Sequence, residues 1–234
     1  MKLFRWAPDE RYAVAFSTRL GGVSDGPYAS LNLGRMTGDD PDRVEENRRR
    51  LCEAVGADVA RLTLNRQRHS ATVHRAHPGR RGEPGDGLWT DEPGVPMLAL
   101  AADCLPIAIA AIDGGARLAI LHAGWRGLLE GVVEEGARAV GTAAAAAVGP
   151  AIGPCCYEVG EEVARPFAER FGEDVVQEDK LDLWTSCERA LRAAGVEQVE
   201  RVDLCTRCNP ELLFSHRRDG PVRGGQGVLG VVRS

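Results

Sequence analysis

The sequence predicts a mixed fold, α+β or mixed α/β in class. Three observations carry that expectation: a nearly unbroken apolar run from Met97 to Leu121, apolar residues at helical spacing in several later stretches, and no strict alternation of strand and helix along the chain. The 234 residues are 44% apolar and 27% charged, enough to build a core and too apolar for a disordered chain.

The elements follow in order. Ala13-Val14-Ala15-Phe16-Ser17-Thr18 reads as a strand ended by Gly21-Gly22, and residues 26–34 read as a loop. Asp40 then offers an N-cap with Pro41 at the first helical position; Val44, Leu51 and Val55 share one face before Gly56 stops the helix, and Arg48-Arg49-Arg50 project elsewhere. The Gly/Pro/Arg-rich run 78–87 suits an exposed loop. Strands are expected near 97–102, 106–112 and 117–121, the last two joined by Asp113-Gly114-Gly115 as an antiparallel pair. Because these strands hardly alternate in polarity, both faces of their sheet should be covered.

A strand should deliver His122 to the start of a helix carrying Leu128, Val132, Val133 and Val140 on one side. Further helices fit 159–171 and 180–194, and further strands fit Val199–Leu204 and Val228–Val232. With no internal repeat and no linker, residues 1–234 are expected to form one domain.

Composition narrows function. A net charge of −5 argues against a protein that binds duplex nucleic acid by covering phosphates. No segment approaches the roughly 20 apolar residues of a membrane span, and the start lacks a secretory apolar core, so the expected location is cytoplasmic. Seven cysteines, an odd number, suit reduced thiols and turn attention to metal or nucleophilic chemistry.

Among the five histidines, His69 and His122 are the natural partners of Cys104, which follows Asp103 at a break between two apolar strands. Two imidazoles and a thiolate with an open fourth position make a catalytic zinc arrangement. Their separations match no local metal motif, and the alternative is core histidines beside a buried thiol. His74 and His77 have solvent-facing neighbours, whereas His216 could approach the site from the C-terminal segment. Cys205-x-x-Cys208 is half of a zinc knuckle without its second half, so an incidental role is expected. Cys155-Cys156 lies in a Gly/Pro-rich loop expected to line the pocket, and adjacent cysteines seldom share one ion.

Several strings strengthen the metal reading. Phe16-Ser17-Thr18-Arg19-Leu20-Gly21-Gly22-Val23-Ser24, Ser30-Leu31-Asn32-Leu33-Gly34, Gln67-x-His69, Ala102-Asp103-Cys104-Leu105-Pro106, His122-Ala123-Gly124-Trp125-Arg126-Gly127, the stretch Gly149 to Val159 and Phe214 to Gly220 resemble the laccase-domain (YfiH-like) family. That family was formerly labelled multicopper polyphenol oxidase and includes purine nucleoside phosphorylases and the peptidoglycan editing factor. The resemblance spans nearly the whole chain. It implies an α/β/β/α fold, two mixed sheets packed between outer helices, and puts metal ligands on His69, Cys104 and His122. The implied metal is zinc, with copper as the less favoured alternative.

The resemblance also implies substrates: a purine nucleoside and phosphate, with phosphorolysis of adenosine, inosine or methylthioadenosine and deamination of adenosine. Arg48, Arg126 and the segment holding Ser17 and Arg19 are the candidate phosphate ligands, since guanidinium binds phosphate through paired donors. Asn32 is the candidate ribose ligand, and Asp103 the candidate proton carrier beside His69, Cys104 and His122. Each has a plainer role available: Arg48 on a solvated face, Arg126 stacked on Trp125, Asn32 stabilising a turn, Asp103 orienting an amide. Two departures are noted: Gln67-Arg68-His69-Ser70 makes the rim more basic, and Arg223-Gly224-Gly225 displaces the expected C-terminal arginine.

Three other readings compete. Cys104 as nucleophile with His122 as base would make a peptidoglycan-precursor amidase. Copper-dependent phenol oxidation needs about ten histidines and cysteines over several centres, more than five histidines can serve. A binding module without catalysis is the third. No nucleic-acid or membrane partner is expected, and the chain should be a monomer or weak homo-oligomer.

Overall fold

The computed structural model describes residues 1–141 and 143–233. The first half contains β1 (Leu3–Trp6), β2 (Tyr12–Ser17), α1 (Pro41–Ala54), β3 (Thr63–Arg66), β4 (Val73–Arg75), β5 (Arg81–Pro84), β6 (Gly87–Thr90), β7 (Met97–Ala101) and β8 (Leu105–Ala111). The second half contains β9 (Leu118–Ala123), α2 (Trp125–Glu130), α3 (Val132–Val140), β10 (Ala144–Val148), α4 (Glu161–Phe171), β11 (Val176–Gln177), β12 (Lys180–Leu181), α5 (Leu183–Ala193), β13 (Val196–Arg201), α6 (His216–Asp219) and β14 (Gln226–Val232).

Among the described residues these strands make two six-stranded mixed sheets, ordered β1-β2-β14-β7-β3-β5 and β13-β10-β8-β9-β6-β4, with β11 and β12 as a small ribbon. Alternation of side chains along each strand decides the layering. In β8, Leu105, Ile107, Ile109 and Ala111 face α2 to α5, while Ala108 and Ala110 face the other sheet. In β2, Tyr12, Val14 and Phe16 face that same inter-sheet layer, and Ala13 and Ala15 turn to α1. The order is therefore α1, first sheet, second sheet, remaining helices: α/β/β/α, as expected, and both faces of each sheet are covered.

Small residues let the two sheets approach. A Cβ at Gly230 in β14 would fall 2.7 Å from Ile120 Cδ1 and 2.9 Å from Leu118 Cδ2. Helix α1 begins as read, with Asp40 accepting from the Asp42 amide, and its buried Leu51 and Cys52 rest on the first sheet.

Several elements differ from expectation for identifiable reasons. The helix after His122 divides at Gly131, whose φ of +96° ends α2 and starts α3. Residues 180–181 extend the ribbon, and α5 starts only after Asp182, which caps the Thr185 amide. The strand expected at Val199–Leu204 runs Val196–Arg201, pulled into register by parallel pairing with β10. The run 78–87 is not all loop: Arg81–Pro84 pairs parallel with β3 at a sheet edge. Strand β10, Ala-Ala-Ala-Ala-Val, has helix-favouring composition, yet two neighbouring strands pair with it and bury every residue.

Replacing Gly230 by valine should overpack the inter-sheet layer and lower stability by about 1–3 kcal/mol. An unchanged urea midpoint for Gly230→Val would show that the sheets are not in such close contact.

Candidate metal centre

Strand pairing brings three distant segments together. Pro106 pairs with His122 and Leu105 with Ala123, so Cys104, just before β8, lies beside the end of β9. Gly87 pairs with Leu121, which puts Asp86 alongside His122, and the His122 amide donates to the Asp86 carbonyl at 2.7 Å. From the other sheet, β3 ends at Arg66 and leads directly into His69.

Asp86 organises this meeting point. Its buried carboxylate accepts from the amides of Arg68 (2.9 Å), His69 (3.0 Å) and Ser70 (2.8 Å) and from the Ser70 hydroxyl (2.8 Å). The fifth partner is His122 Nδ1, at 2.9 Å. Burial opposes ionisation of Asp86, but His122 and the amides outweigh it and hold the carboxyl far below the usual carboxylate range. A carboxylate that acidic is an acceptor, so Nδ1 of His122 carries a proton, and Nε2 is the nitrogen that could ligate an ion on losing its own.

The three donors converge. Cys104 Sγ lies 3.8 Å from His69 Nε2, and donor atoms of His69, Cys104 and His122 all lie within 4.8 Å of one another. An ion bound at roughly 2.0–2.3 Å by such donors separates them by roughly 3.3–3.8 Å, so the set fits one divalent ion. The imidazole rings stand 5.0 Å apart at 75°. A Cβ on Gly124 would come 2.7 Å from His69 Cδ2 and 3.1 Å from Cys104 Sγ, so this glycine leaves the donors their room. Burial works against the Cys104 thiolate, but the neighbouring imidazoles prevail and pull the thiol down to about 6. Burial likewise opposes charge on His122, and Cys104 and Asp86 raise it to about 9.

The donors open onto a cavity of about 700 Å³. Arg35, Arg48, Arg66, Arg81 and Arg223 line it, together with His216, and no carboxylate does among the described residues. Arg48 is buried and donates through Nε and Nη2 to the Leu33 carbonyl, so the solvated face expected for it does not exist. Burial lowers the pKa of Arg223, and its Nε is buried without a hydrogen-bond partner among the described residues.

Other expected ligands lie elsewhere. Arg126 is exposed and stacks 4.8 Å from the Trp125 ring, outside the cavity lining. Ser17 is buried and accepts from the Gly227 amide. Arg19 donates to the carbonyls of Ala29 and Pro210 and packs on Phe214. Asn32 is buried, with Oδ1 accepting from the amides of Gly34 and Gly225 and Nδ2 donating to Thr37 and Asp39. Asp103 accepts from Thr206 Oγ1 at 2.5 Å and from the Arg217 amide at 2.7 Å, and it does not line the cavity. Apart from Arg126, these side chains are committed to holding loops. His74 bonds Pro84 and stays outside the donor cluster, as does His77.

Sequence reasoning missed Asp86, Arg35, Arg66 and Arg81. A signal for Asp86 existed in Gly85-Asp86-Gly87, an acid between glycines that both sit against neighbouring side chains.

A two-sheet α/β/β/α protein with a cluster of two histidines and a cysteine that could hold a metal ion, lining a basic cavity, is the class these observations define. The chain belongs to the family described as Multi-copper polyphenol oxidoreductase laccase, which matches residues 13–232. It is 38% identical over 235 residues to "Purine nucleoside phosphorylase YfiH" of Escherichia coli (strain K12), covering 92% of each. The crystal structure of YlmD from Geobacillus stearothermophilus superposes with a TM-score of 0.88 at 33% identity, covering 97% of this chain and 94% of that one. Neisseria meningitidis protein NMB0706 superposes with a TM-score of 0.90 at 31% identity over the full length of both. No helix among the described residues is long and apolar enough to cross a membrane.

Asp86→Asn would exchange an acceptor of five donors for a group that must present an NH₂ to some of them. Metal affinity, measured by chelator competition, should fall about 10–100-fold. Affinity equal to the parent would show that Asp86 does not orient the ligands.

Proposed function

We propose that the protein is a zinc-dependent purine nucleoside phosphorylase that cleaves adenosine, inosine or methylthioadenosine with phosphate and also deaminates adenosine. The observation that carries this reading is the cavity itself: the three clustered donors and several guanidinium groups in its lining, and Arg223 Nε buried with no hydrogen-bond partner among the described residues. Relatives named purine nucleoside phosphorylase support the substrate class.

An anionic substrate is what the lining calls for. Arginine binds phosphate through paired donors, and among the described residues no carboxylate lines the wall. Glu45 behind it pairs with Arg48 and Arg81, leaving Arg35, Arg66 and Arg223 as the lining guanidinium groups without a carboxylate partner among the described residues. Phosphate held there would face C1′ of the nucleoside as the bond to the base breaks and positive charge builds on the ribose. Arg48, fixed by Leu33 and Glu45, lends charge from depth, whereas Arg35, Arg66 and Arg81 surround the opening. His69, Cys104 and His122 would hold zinc, which when bound supplies Lewis acidity and lowers the pKa of a water toward ~7. The His₂Cys donor set suits zinc, and a multicopper centre needs more imidazoles than this cavity has.

Deamination needs a proton carrier. Asp103 is committed to Thr206 and Arg217, so we assign proton transfer to His216, which lines the cavity. Its Nδ1 lies 3.2 Å from the Gly220 carbonyl, leaving Nε2 available. Asp103 becomes a positioning residue.

The chain Cys104, His122, Asp86 also has the form of a nucleophile, base and orienting acid, which favours an amidase acting on peptidoglycan precursors as the second reading. Metal dependence separates the two. Adenosine with phosphate should yield adenine and ribose 1-phosphate, and chelation should abolish that yield; turnover of a muropeptide precursor that survives chelation, with no phosphorolysis, would favour the amidase.

Arg223→Met should raise the KM for phosphate about 10–100-fold, the loss of a charge-assisted hydrogen bond, with a much smaller change in the KM for nucleoside. Equal effects on both would remove Arg223 from the phosphate site. His216→Gln should cut adenosine deamination by about 10²-fold or more and leave phosphorolysis within a few-fold of the parent. Parallel losses in both reactions would count against His216 as the proton carrier.

A further inference from the structure

Four cysteines lie outside the cavity, yet they meet. Strands β10 and β13 are parallel neighbours, so their C-terminal extensions leave the sheet at the same end. Ala151 forms a parallel bridge with Cys205, and the Thr206 amide donates to the Ala151 carbonyl at 3.1 Å. Beyond that bridge the turn at 153–157 carries Cys155 and Cys156, and the turn at 205–208 carries Cys205 and Cys208.

Cys208 Sγ lies 3.4 Å from Cys156 Sγ and 3.7 Å from Cys155 Sγ, and all four sulfurs lie within 4.8 Å of one another. Four thiolates around zinc at ~2.3 Å stand ~3.8 Å apart along each edge of the tetrahedron. A disulfide would require ~2.05 Å. The spacing is that of a tetrahedron with its centre to be filled. The Gly153 amide points at Cys205 Sγ, 3.3 Å away, an N–H···S bond that favours the thiolate. Cys156 and Cys205 are buried and Cys155 and Cys208 exposed, so two ligands are anchored in the fold and two close the site from solvent.

We propose that Cys155, Cys156, Cys205 and Cys208 form a second metal site, a closed four-thiolate centre for one zinc ion, distinct from the His69, Cys104 and His122 donors. The half knuckle Cys205-x-x-Cys208 finds its other half in the adjacent pair, because the turn at 153–157 directs both neighbouring sulfurs toward Cys208. An ion here fastens two turns that together hold Asp103: the Ile152 amide donates to the Asp103 carbonyl, and Thr206 Oγ1 donates to its carboxylate. Asp103 precedes the ligand Cys104. The second ion therefore braces the wall behind the first without touching substrate.

Elemental analysis of the full chain, purified without chelator, tests this. The parent should carry two equivalents of zinc, Cys104→Ala one, and Cys208→Ser one. X-ray absorption on the Cys104→Ala protein should show four sulfur neighbours at ~2.3 Å. Because Cys208→Ser could fail to fold, the Cys104→Ala protein decides: no zinc in it, or a zinc shell containing nitrogen or oxygen ligands, overturns the proposal. So does recovery of these cysteines from the parent as disulfides in mass spectrometry.

Discussion

The site depends on one buried carboxylate. Asp86 lies immediately before β6, and every group it binds belongs to a segment that carries or flanks one of the three clustered donors. Three successive amides fold residues 68–70 around it, which fixes the backbone at His69, while its bond to Nδ1 fixes the tautomer of His122. A single charge thus fixes the backbone that carries one imidazole and the direction of the other. Such an ion is tolerable inside a protein because it is saturated with donors; removing them would leave an unpaired charge at a cost of several kcal/mol.

The two sheets supply what Asp86 cannot. His122 and Cys104 come from adjacent antiparallel strands of the second sheet, so their proximity follows from register alone. His69 lies three residues beyond β3 of the first sheet, and the cavity arginines at 66 and 81 belong to β3 and its edge neighbour β5. The metal donors therefore span the seam between sheets, and the cations cluster on one side of it. The cavity is therefore asymmetric, with the His69, Cys104 and His122 donors at the seam and guanidinium groups from the first sheet beside them.

Much of this was legible in the sequence, and the limits have physical causes. Strands β7 to β9 announced themselves by apolar runs because both faces of their sheets are buried. Helix α1 was marked by its cap, its proline and its apolar stripe. The metal donors stood out because histidines are few and because the family strings surround them. Cavity cations were harder: the chain has 29 lysines and arginines, and only the fold shows that the exposed Arg66 and Arg81 line the cavity. Arg19, Arg126 and Asn32 sit inside the family strings, yet here Arg19 and Asn32 hold loops and Arg126 stacks on Trp125 at the surface, roles that a string of letters shares with ligand binding. The four-cysteine cluster was hidden because its halves are joined only by the parallel pairing of β10 and β13, which the alanine-rich β10 did not advertise.

The backbone at the donors points the same way. His69 and Asp103 both have positive φ, +60° and +91°, a region that residues with a Cβ rarely occupy. Such conformations cost of order 1–3 kcal/mol each and persist only where surrounding bonds impose them. Those bonds are identifiable here. The His69 amide is held by Asp86, and the Asp103 carboxylate is held by Thr206 and the Arg217 amide. Glycine would relieve the strain at position 103 but would lose the tether to the C-terminal segment that brings His216 to the cavity. An aspartate in an unfavourable conformation beside Cys104 is therefore the residue that couples the metal ligand to the far end of the chain, and its side chain is spent on that task.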